Sequence, residues 1–235
     1  MGLKILGLIP ARGGSKGIPG KNIKLLNGRP LISYSIEVAL ASKYIDDVVV
    51  TTDSEEIAKL SRSFGAEVPF MRPPELAQDS SKTIDCVVHA RDELIRLGRR
   101  PDVVVLLQPT SPLRSALDVD SALELFFREG CRGLVSVSKT EENPVLIRAM
   151  GIDGELKPLL DIPSTVRRQD MPEFYSVNGS IYINLADELT LETSLNDNPI
   201  GYVMPAKRSV DIDTIADFQE AEDRLKRSEE EGDRD

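Results

Sequence analysis

Short, fully apolar runs alternate with longer segments of helical periodicity along most of this 235-residue chain. Strands are predicted at residues 4–9, 47–52, 103–108 and 133–138, and helices at residues 30–41, 54–64, 82–97 and 115–127. A strand that is apolar along its whole length must be covered on both faces, and a helix between successive strands lets those strands run parallel. The pattern therefore predicts an α/β fold with a doubly wound, mostly parallel sheet.

The alternation stops between residues 139 and 178, where prolines and glycines favour a short hairpin and loops. Beyond this excursion the sequence predicts strands at residues 179–184 and 200–204, and a helix at residues 186–194. A closing helix is predicted at residues 214–226, with Asp213 or Thr214 as its N-cap. We expect a single domain over residues 1–228, followed by a disordered acidic tail at residues 229–235.

The composition is that of a soluble globular protein, with 40% hydrophobic and 29% charged residues. No apolar run reaches the ~18 residues needed to cross a bilayer, and the first residues form a strand pattern instead of a signal peptide. Cys86 and Cys131 are too few for a disulfide framework or a zinc site. We therefore expect a cytoplasmic protein with no membrane partner.

Charge is distributed unevenly along the chain. The net charge is −10, and residues 216–235 alone contribute −5, whereas residues 1–36 contain six Lys or Arg and no acid. A basic start on an acidic protein indicates a local site for a small anion and argues against a nucleic-acid surface. A solvated basic face is the alternative interpretation of the same residues.

A basic, glycine-rich segment follows the first predicted strand, with the sequence LIPARGGSKGIPGKN at residues 8–22. Ligands of open parallel sheets bind beyond the carboxyl ends of the strands, and glycines let backbone N–H groups approach a phosphate. Arg12, Lys16 and Lys21 would supply the positive charge that a triphosphate needs. A P-loop is excluded because Ser15 replaces its first glycine, and no G-x-G-x-x-G occurs. The alternative is a flexible turn with solvated lysines.

Asp211 and Asp213 form a second group. Side chains two residues apart on an extended segment point to the same face, so both carboxylates would lie together while Ile212 is buried on the other side. Two close carboxylates suit Mg²⁺, which also takes phosphate oxygens and waters. The alternative is that Asp213 caps the closing helix and Asp211 is merely exposed.

A third group is the run Arg167-Arg168-Gln169 in the excursion. Two forked guanidinium groups in a short loop suit a sugar carboxylate or a phosphate in the transition state. The alternative is a cluster of surface ion pairs.

Together these motifs resemble those of the acylneuraminate cytidylyltransferases, the CMP-sialic acid synthetases. The resemblance continues through VVVTTDSEEIA, RPPELAQDSSKT, LLQPTSPLR, RRQDMPEFYSVNGSIYI and SVDIDT, and spans about residues 5–225. It implies a Rossmann-like nucleotidyltransferase that transfers CMP from CTP to the anomeric hydroxyl of a nine-carbon 2-keto sugar acid, releasing pyrophosphate. It also implies a homodimer in which residues 139–178 form the dimerisation element and complete the partner's sugar site.

The resemblance implies roles for individual residues. Arg12, Lys21 and Arg167 are expected to act in catalysis, and Asp211 and Asp213 are expected to hold Mg²⁺, for which Mn²⁺ could substitute. The set expected to contact the nucleotide and the sugar is Arg12, Gly13, Lys16, Lys21, Asn22, Arg72, Ser81, Thr83, Gln108, Arg168 and Gln169. The hydroxyl groups at positions 81 and 83 are expected to read the cytosine, and no role is assigned to the lysine between them.

Three other functions share parts of the pattern. A cytidylyltransferase for the eight-carbon acid 3-deoxy-octulosonate has a similar opening loop. A glycosyltransferase would use the two aspartates as the D-x-D that holds the metal of a nucleotide-sugar, and a non-catalytic module would bind CTP without turnover. Within the nine-carbon class, the acid could be N-acetylneuraminate, legionaminate, pseudaminate or the deaminated sugar. The additional phosphatase-like domain of some longer relatives is not expected here.

Three other polar residues are interpreted as structural. Asp53 with Glu56 fits a capping box at the start of a helix. His89, the single histidine in the sequence, is expected to pack within its helix. Tyr182 is expected in the core or in the wall of a pocket.

Overall fold

A six-stranded sheet forms the centre of the computed structural model, which describes residues 2–140 and 142–230 apart from the side chains of Arg168, Glu229 and Glu230. The strands are β1 (Ile5–Pro10), β2 (Leu25–Leu26), β3 (Arg29–Pro30), β4 (Asp47–Thr51), β5 (Val103–Leu107), β6 (Leu134–Lys139), β7 (Arg148–Met150), β8 (Leu156–Pro158), β9 (Tyr175–Leu185) and β10 (Ile200–Val203). The α-helices are α1 (Leu31–Ala41), α2 (Glu55–Ser63), α3 (Thr83–Arg96), α4 (Ala116–Arg128) and α5 (Ile215–Glu230).

The strand order in the main sheet is β10-β6-β9-β5-β1-β4, and only β9 runs antiparallel to its neighbours among these strands. The direction of β9 follows from its connection. The chain leaves the end of β6 for the excursion and returns at Tyr175, which pairs with Lys139. Because β9 begins beside the residue at which β6 ends, it must run antiparallel to β6. The expected doubly wound, mostly parallel α/β fold is confirmed.

Both faces of the sheet are buried, as the uniformly apolar strands predicted. Ile9 and Val50 belong to the apolar cluster on one face, and their neighbours Leu8 and Val49 belong to the cluster on the other. Helices α1, α2 and α4 contribute to the first cluster, and α3 contributes to the second. Period-two alternation along each strand therefore places apolar side chains under helices on both sides.

The helix predicted at residues 186–194 is wrong. Only the 3-10 turn Ala186–Glu188 forms there. Further along, Thr193 Oγ1 accepts a hydrogen bond of 2.9 Å from the backbone N–H of Thr190, and Thr190 Oγ1 accepts one of 3.3 Å from that of Glu192. Threonine hydroxyls that satisfy nearby backbone groups compete with the helix, and here they fold the segment as a turn.

The excursion folds as predicted into a hairpin with loops. Strands β7 and β8 pair with each other as a separate two-stranded sheet. The closing helix α5 continues to Glu230, past the predicted start of the acidic tail, and residues 231–235 lie outside the described residues. No described helix is long and apolar enough to span a membrane.

Candidate active site

A cleft of about 350 Å³ lies beyond the carboxyl ends of β1 and β5, where an open parallel sheet is expected to bind its ligand. Four segments meet there: the glycine-rich loop after β1, the 72–83 segment, the residues after β5, and the Asp-Ile-Asp segment before α5. The residues lining it are Pro10, Arg12, Gly14, Ser15, Lys21, Asn22, Arg72, Leu76, Gln78, Asp79, Ser81, Lys82, Thr83, Cys86, Gln108, Pro109, Thr110, Asp211 and Asp213.

The glycine-rich loop is held by side chains at both ends. The backbone N–H of Gly13 donates a hydrogen bond of 2.8 Å to Asp53 Oδ1. At the other end, the buried Asn22 donates one of 3.0 Å from Nδ2 to the carbonyl oxygen of Arg12. The capping box predicted for Asp53 is wrong, because Ser54 is the N-cap of α2 and accepts from Ile57. Asp53 instead shapes the loop.

The loop also packs directly against the Asp-Ile-Asp segment. A Cβ atom added to Gly17 would overlap the backbone carbonyl oxygen of Asp213, so only glycine fits. Lys21 spans the same gap and donates hydrogen bonds from Nζ to the carbonyl oxygen of Ile212 at 2.6 Å and to Asp213 Oδ1 at 3.1 Å. The phosphate-binding role of Lys21 stays a prediction; the contacts of its ammonium group fix the position of Asp213.

Two further cations of the loop contact a residue that sequence reasoning missed. Arg12 Nη2 lies 2.8 Å from Asp79 Oδ1, and Lys16 Nζ lies 3.1 Å from Asp79 Oδ2. The hydrogen bond from Lys16 holds the pKa of the Asp79 carboxyl below its ordinary value. Asp79 lies in the RPPELAQDSSKT stretch, but nothing in that stretch marked it as a partner of residues 63 or more positions earlier.

Arg72 forms part of the cleft wall and is only 5% exposed. Its guanidinium donates to the carbonyl oxygen of Thr51, and from Nε to Thr51 Oγ1 at 3.3 Å. Burial lowers the pKa of Arg72. These bonds at the end of β4 orient the predicted substrate-binding arginine.

The two predicted metal ligands lie together at the cleft. Ile212 is fully buried between them and donates its backbone N–H to the carbonyl oxygen of Thr110 at 2.8 Å. Partial desolvation raises the pKa of Asp211; a hydrogen bond from Thr110 opposes this rise, and the negative charge of Asp213 adds to it. Asp213 is not the helix cap, since Thr214 Oγ1 accepts from the backbone N–H of Asp217.

The donor set at this point fits Mg²⁺. No group of three or more His, Cys, Asp or Glu suited to a metal ion exists among residues 2–140 and 142–230. Two carboxylates beside a phosphate site nevertheless match the ion's preference for a few carboxylates completed by phosphate oxygens and water. The raised pKa of Asp211 beside Asp213 is the electrostatic situation that a divalent cation relieves.

A second cavity, of about 460 Å³, adjoins the cleft and shares Lys82, Thr83 and Gln108 with it. Its other lining residues are Ile84, Tyr182, Leu191, Glu192, Thr193, Ser194, Leu195 and Asn196. Tyr182 lies in the wall of this cavity, which is one of the two positions predicted for it. Its hydroxyl donates a hydrogen bond of 2.9 Å to Asn196 Oδ1, and burial raises the pKa of Tyr182 to about 12. Sequence reasoning missed residues 191–196, of which it assigned 191–194 to a helix and gave 195 and 196 no role.

The remaining predicted site residues are divided between the cleft and the surface. Ser81 reaches the cleft, but its hydroxyl also accepts from the N–H of Gln78 and donates to the carbonyl oxygen of Glu75. Arg167 and Gln169 are exposed and line neither cavity of their own chain. The side chain of Arg168 lies outside the described part.

His89 is structural, as expected. It packs edge-on against Phe70, with ring centroids 5.6 Å apart, and burial lowers its pKa. Neither the cleft nor the second cavity includes it among its described lining residues.

Comparison with known proteins identifies the class. Residues 6–145 match the family model described as Cytidylyltransferase. The chain is 37% identical over 219 residues to the CMP-N,N'-diacetyllegionaminic acid synthase of Legionella pneumophila, covering 92% of this chain and 94% of that protein. The chain therefore belongs to the cytidylyltransferase family, as the resemblance to the acylneuraminate cytidylyltransferases predicted.

A longer relative and one solved structure extend the comparison. The chain is 38% identical over 225 residues to the N-acylneuraminate cytidylyltransferase of Oncorhynchus mykiss; this match covers 95% of the chain but only 50% of that protein. The solved structure of CMP:2-keto-3-deoxy-manno-octonic acid synthetase complexed with CTP has a TM-score of 0.73 at 19% identity, covering 96% of this chain and 99% of the other. At that identity, the match supports the fold alone.

Proposed function

We propose that this protein transfers CMP from CTP to the anomeric hydroxyl of a nine-carbon 2-keto sugar acid, an N-acylneuraminate or a related nonulosonate, and releases pyrophosphate. The observation that carries the proposal is the pair of adjoining cavities, one lined by the glycine-rich loop with its cations and by two aspartates, the other polar with an aromatic wall. The names of the legionaminic acid and neuraminate relatives support the nine-carbon class.

The chain's own residues account for binding of the triphosphate. Arg12, Lys21 and Arg72 bring positive charge to the cleft, and the loop beside Gly14 lets the backbone approach the phosphates. Asn22 holds the loop closed beneath them through the Arg12 carbonyl. Phosphoryl transfer depends mainly on positioning and charge stabilisation, so these groups would favour departure of pyrophosphate.

Asp211 and Asp213 would hold Mg²⁺, or Mn²⁺ in its place. When bound, such an ion supplies neutralisation of phosphate charge and polarisation of the phosphorus that the acceptor attacks. Lys21 fixes the segment through the Ile212 carbonyl, so both carboxylates face the cleft before nucleotide arrives.

The second cavity is the proposed acceptor site. Gln108 lies where it meets the cleft, so an acceptor there would present its hydroxyl towards the nucleotide. Among the described residues that line it, Lys82 is the one cation, and Glu192 is an acid. One lysine that is shared with the nucleotide cleft provides little positive charge for binding a sugar carboxylate. A further cation from a second chain would complete the acceptor site.

We propose that the second chain is another copy of this one. The excursion exposes apolar side chains that its own chain leaves uncovered, with Met150 73% exposed, Leu156 59% exposed and Ile152 fully exposed. A two-fold pairing would bury them. It would also let Arg167, which lines neither of these two cavities among the described residues, reach the partner's acceptor site. We further propose that the enzyme acts in the cytoplasm.

A pyrophosphate-release assay tests the reaction. With CTP and a panel of neuraminate, legionaminate, pseudaminate and deaminated nine-carbon acids, at least one acid should give turnover. UTP should be slower by about 100-fold or more, because a site that hydrogen-bonds one base leaves polar groups unpaired with another. Turnover with 3-deoxy-octulosonate alone would move the protein to the eight-carbon branch. CTP binding without turnover on any acid would favour a non-catalytic module.

A further inference from the structure

Asp79 contributes a carboxylate to the part of the cleft that the nucleotide's phosphates would occupy. Its two oxygens are divided between two cations of the glycine-rich loop, with Arg12 Nη2 at 2.8 Å from Oδ1 and Lys16 Nζ at 3.1 Å from Oδ2. Asp79 itself lines the cleft. This arrangement of one anion across two cations is the contact that a phosphate group would make with the same side chains.

The Asp79 carboxylate and a bound triphosphate cannot both lie against Arg12 and Lys16 without electrostatic repulsion. Asp213 is paired with Lys21, whereas Asp79 is paired with Arg12 and Lys16 of the glycine-rich loop. A triphosphate bound to these cations would lie against the Asp79 carboxylate, and like charges at contact distance repel. Asp79 is ionised, because the Lys16 ammonium lowers its pKa.

We propose that Asp79 occupies a phosphate subsite of the free protein and leaves it when CTP binds, so that this carboxylate sets the affinity for nucleotide. The inference rests on the proposed function in one respect, which is that a nucleoside triphosphate is the ligand of the cleft.

The segment that carries Asp79 lacks regular secondary structure and is held by hydrogen bonds within itself. Residues 77–82 contain neither helix nor strand, and the 3-10 turn Pro74–Leu76 precedes them. Ser81 Oγ closes this turn internally, accepting from the N–H of Gln78 and donating to the carbonyl oxygen of Glu75. The pairs made by Asp79 are exposed to solvent, and such pairs are weak enough for a multiply charged ligand to displace them.

Displacement has a measurable consequence. A ligand that must first break two ion pairs binds more weakly than it would to a protein without them, because only the open fraction of the protein is competent. Two exposed pairs correspond to an affinity about three- to tenfold lower. Replacing Asp79 by asparagine keeps the shape of the side chain and removes its charge, so the affinity for the ligand should rise by the same factor.

The experiment is calorimetric titration of CTP and of inorganic tripolyphosphate into wild type, Asp79→Asn, Asp79→Glu and Glu75→Gln. Glu75→Gln is the matched control, because it removes one exposed negative charge from the same segment without touching either cation. Asp79→Asn should bind both ligands about three- to tenfold more tightly than wild type. Glu75→Gln should stay within about twofold, and Asp79→Glu should stay close to wild type, because the competing charge is restored.

The outcomes of the titration distinguish failure of the inference about Asp79 from failure of the proposed function. If wild type and all variants bind CTP, but Asp79→Asn binds it equally or more weakly, then Asp79 is a support for Arg12 and Lys16 and the inference is overturned. If Glu75→Gln tightens binding as much as Asp79→Asn, the effect is general electrostatics and the inference also fails. If no form binds CTP, the proposed function itself fails. Melting temperatures of the four proteins identify a variant that has not folded.

Discussion

Lys21 Nζ donates a 2.6 Å hydrogen bond to the backbone carbonyl oxygen of Ile212, which lies 191 residues further along the chain. This bond joins the glycine-rich loop to the segment that carries the two aspartates proposed to hold Mg²⁺. The same ammonium group lies 3.1 Å from Asp213 Oδ1, and both residues line the cleft. Lys21 therefore connects two segments of the structure and also places a positive charge in the cleft.

Lys21→Met should remove the tie and the charge together. We expect kcat/KM for CTP to fall by at least about 100-fold, with a lower melting temperature, because the two halves of the cleft lose their connection. Lys21→Arg should remain impaired, since a planar fork does not reproduce a compact ammonium donor. Lys59→Met, on the exposed side of α2, is the control and should behave as wild type. A fully active Lys21→Met enzyme would contradict the assigned role.

Two glycines of one loop should respond differently to a single methyl group. Gly17→Ala should destabilise the protein by about 1–3 kcal/mol and reduce activity, because its Cβ would overlap the Asp213 carbonyl. Gly14→Ala should leave the free energy of unfolding nearly unchanged, because nothing lies within 4 Å of the added Cβ. Chemical denaturation of both variants measures the difference, and equal destabilisation would refute the close contact at Gly17.

The two cleft aspartates should be required for turnover and dispensable for folding. Asp211→Asn and Asp213→Asn should each lower kcat by about 100-fold or more while the melting temperature stays close to that of wild type, since both side chains face the cleft. Chelator-treated wild type should be inactive and regain activity with Mg²⁺ or Mn²⁺. Asp187→Asn, a remote surface change, controls for charge. Undiminished activity after chelation would exclude a metal from the reaction.

Stability should depend on pH through Asp118, which is fully buried and accepts two 2.9 Å hydrogen bonds from Arg208. Burial alone would raise the pKa of Asp118, but the bonds from Arg208 and Ser115 outweigh it and hold the pKa below its ordinary value. A depressed folded-state pKa means that the stabilisation is present above the unfolded pKa of about 4 and is lost as the pH falls through the folded value.

Asp118→Asn should therefore cost about 3 kcal/mol of unfolding free energy at pH 7, and this difference from wild type should shrink below about pH 4. Urea denaturation of both proteins between pH 3 and pH 8 gives the two curves. A difference that stays constant across the range would show that the Asp118 charge contributes nothing.

Mixing inactive subunits tests the proposal that two subunits of a homodimer share each acceptor site. Asp211→Ala and Arg167→Ala should each be inactive alone, and a re-equilibrated mixture should regain about a quarter of wild-type activity, because half of the dimers would contain one intact site. Mixing Asp211→Ala with Asp213→Ala should restore nothing, since both changes fall in the same site. Hybrid dimers that form but stay inactive would contradict the sharing of sites.

The local residue pattern was sufficient to predict most strands and helices and many residues of the cleft. Apolar runs such as 103–107 specified buried strands because their burial does not depend on which element covers them. The glycine-rich loop and the Asp-Ile-Asp segment were recognisable because the chemistry depends on residues that are neighbours in sequence, and Ile212 is buried between its aspartates as alternation requires. The prediction of a helix at 186–194 was wrong because threonine hydroxyls accept hydrogen bonds from the backbone N–H groups there. A pattern of apolar residues does not reveal such hydrogen bonds.

Only the tertiary structure decided which distant residues meet. The pairing of Asp79 with Arg12 and Lys16, the support of Gly13 by Asp53, and the bond from Lys21 to Ile212 all join segments that the sheet brings to one edge. Sequence gives the type of a side chain but not its distance from another, because that distance depends on strand order and on which loops cross the same edge. The polar second cavity likewise exists only where the turn at 191–196 folds against Tyr182.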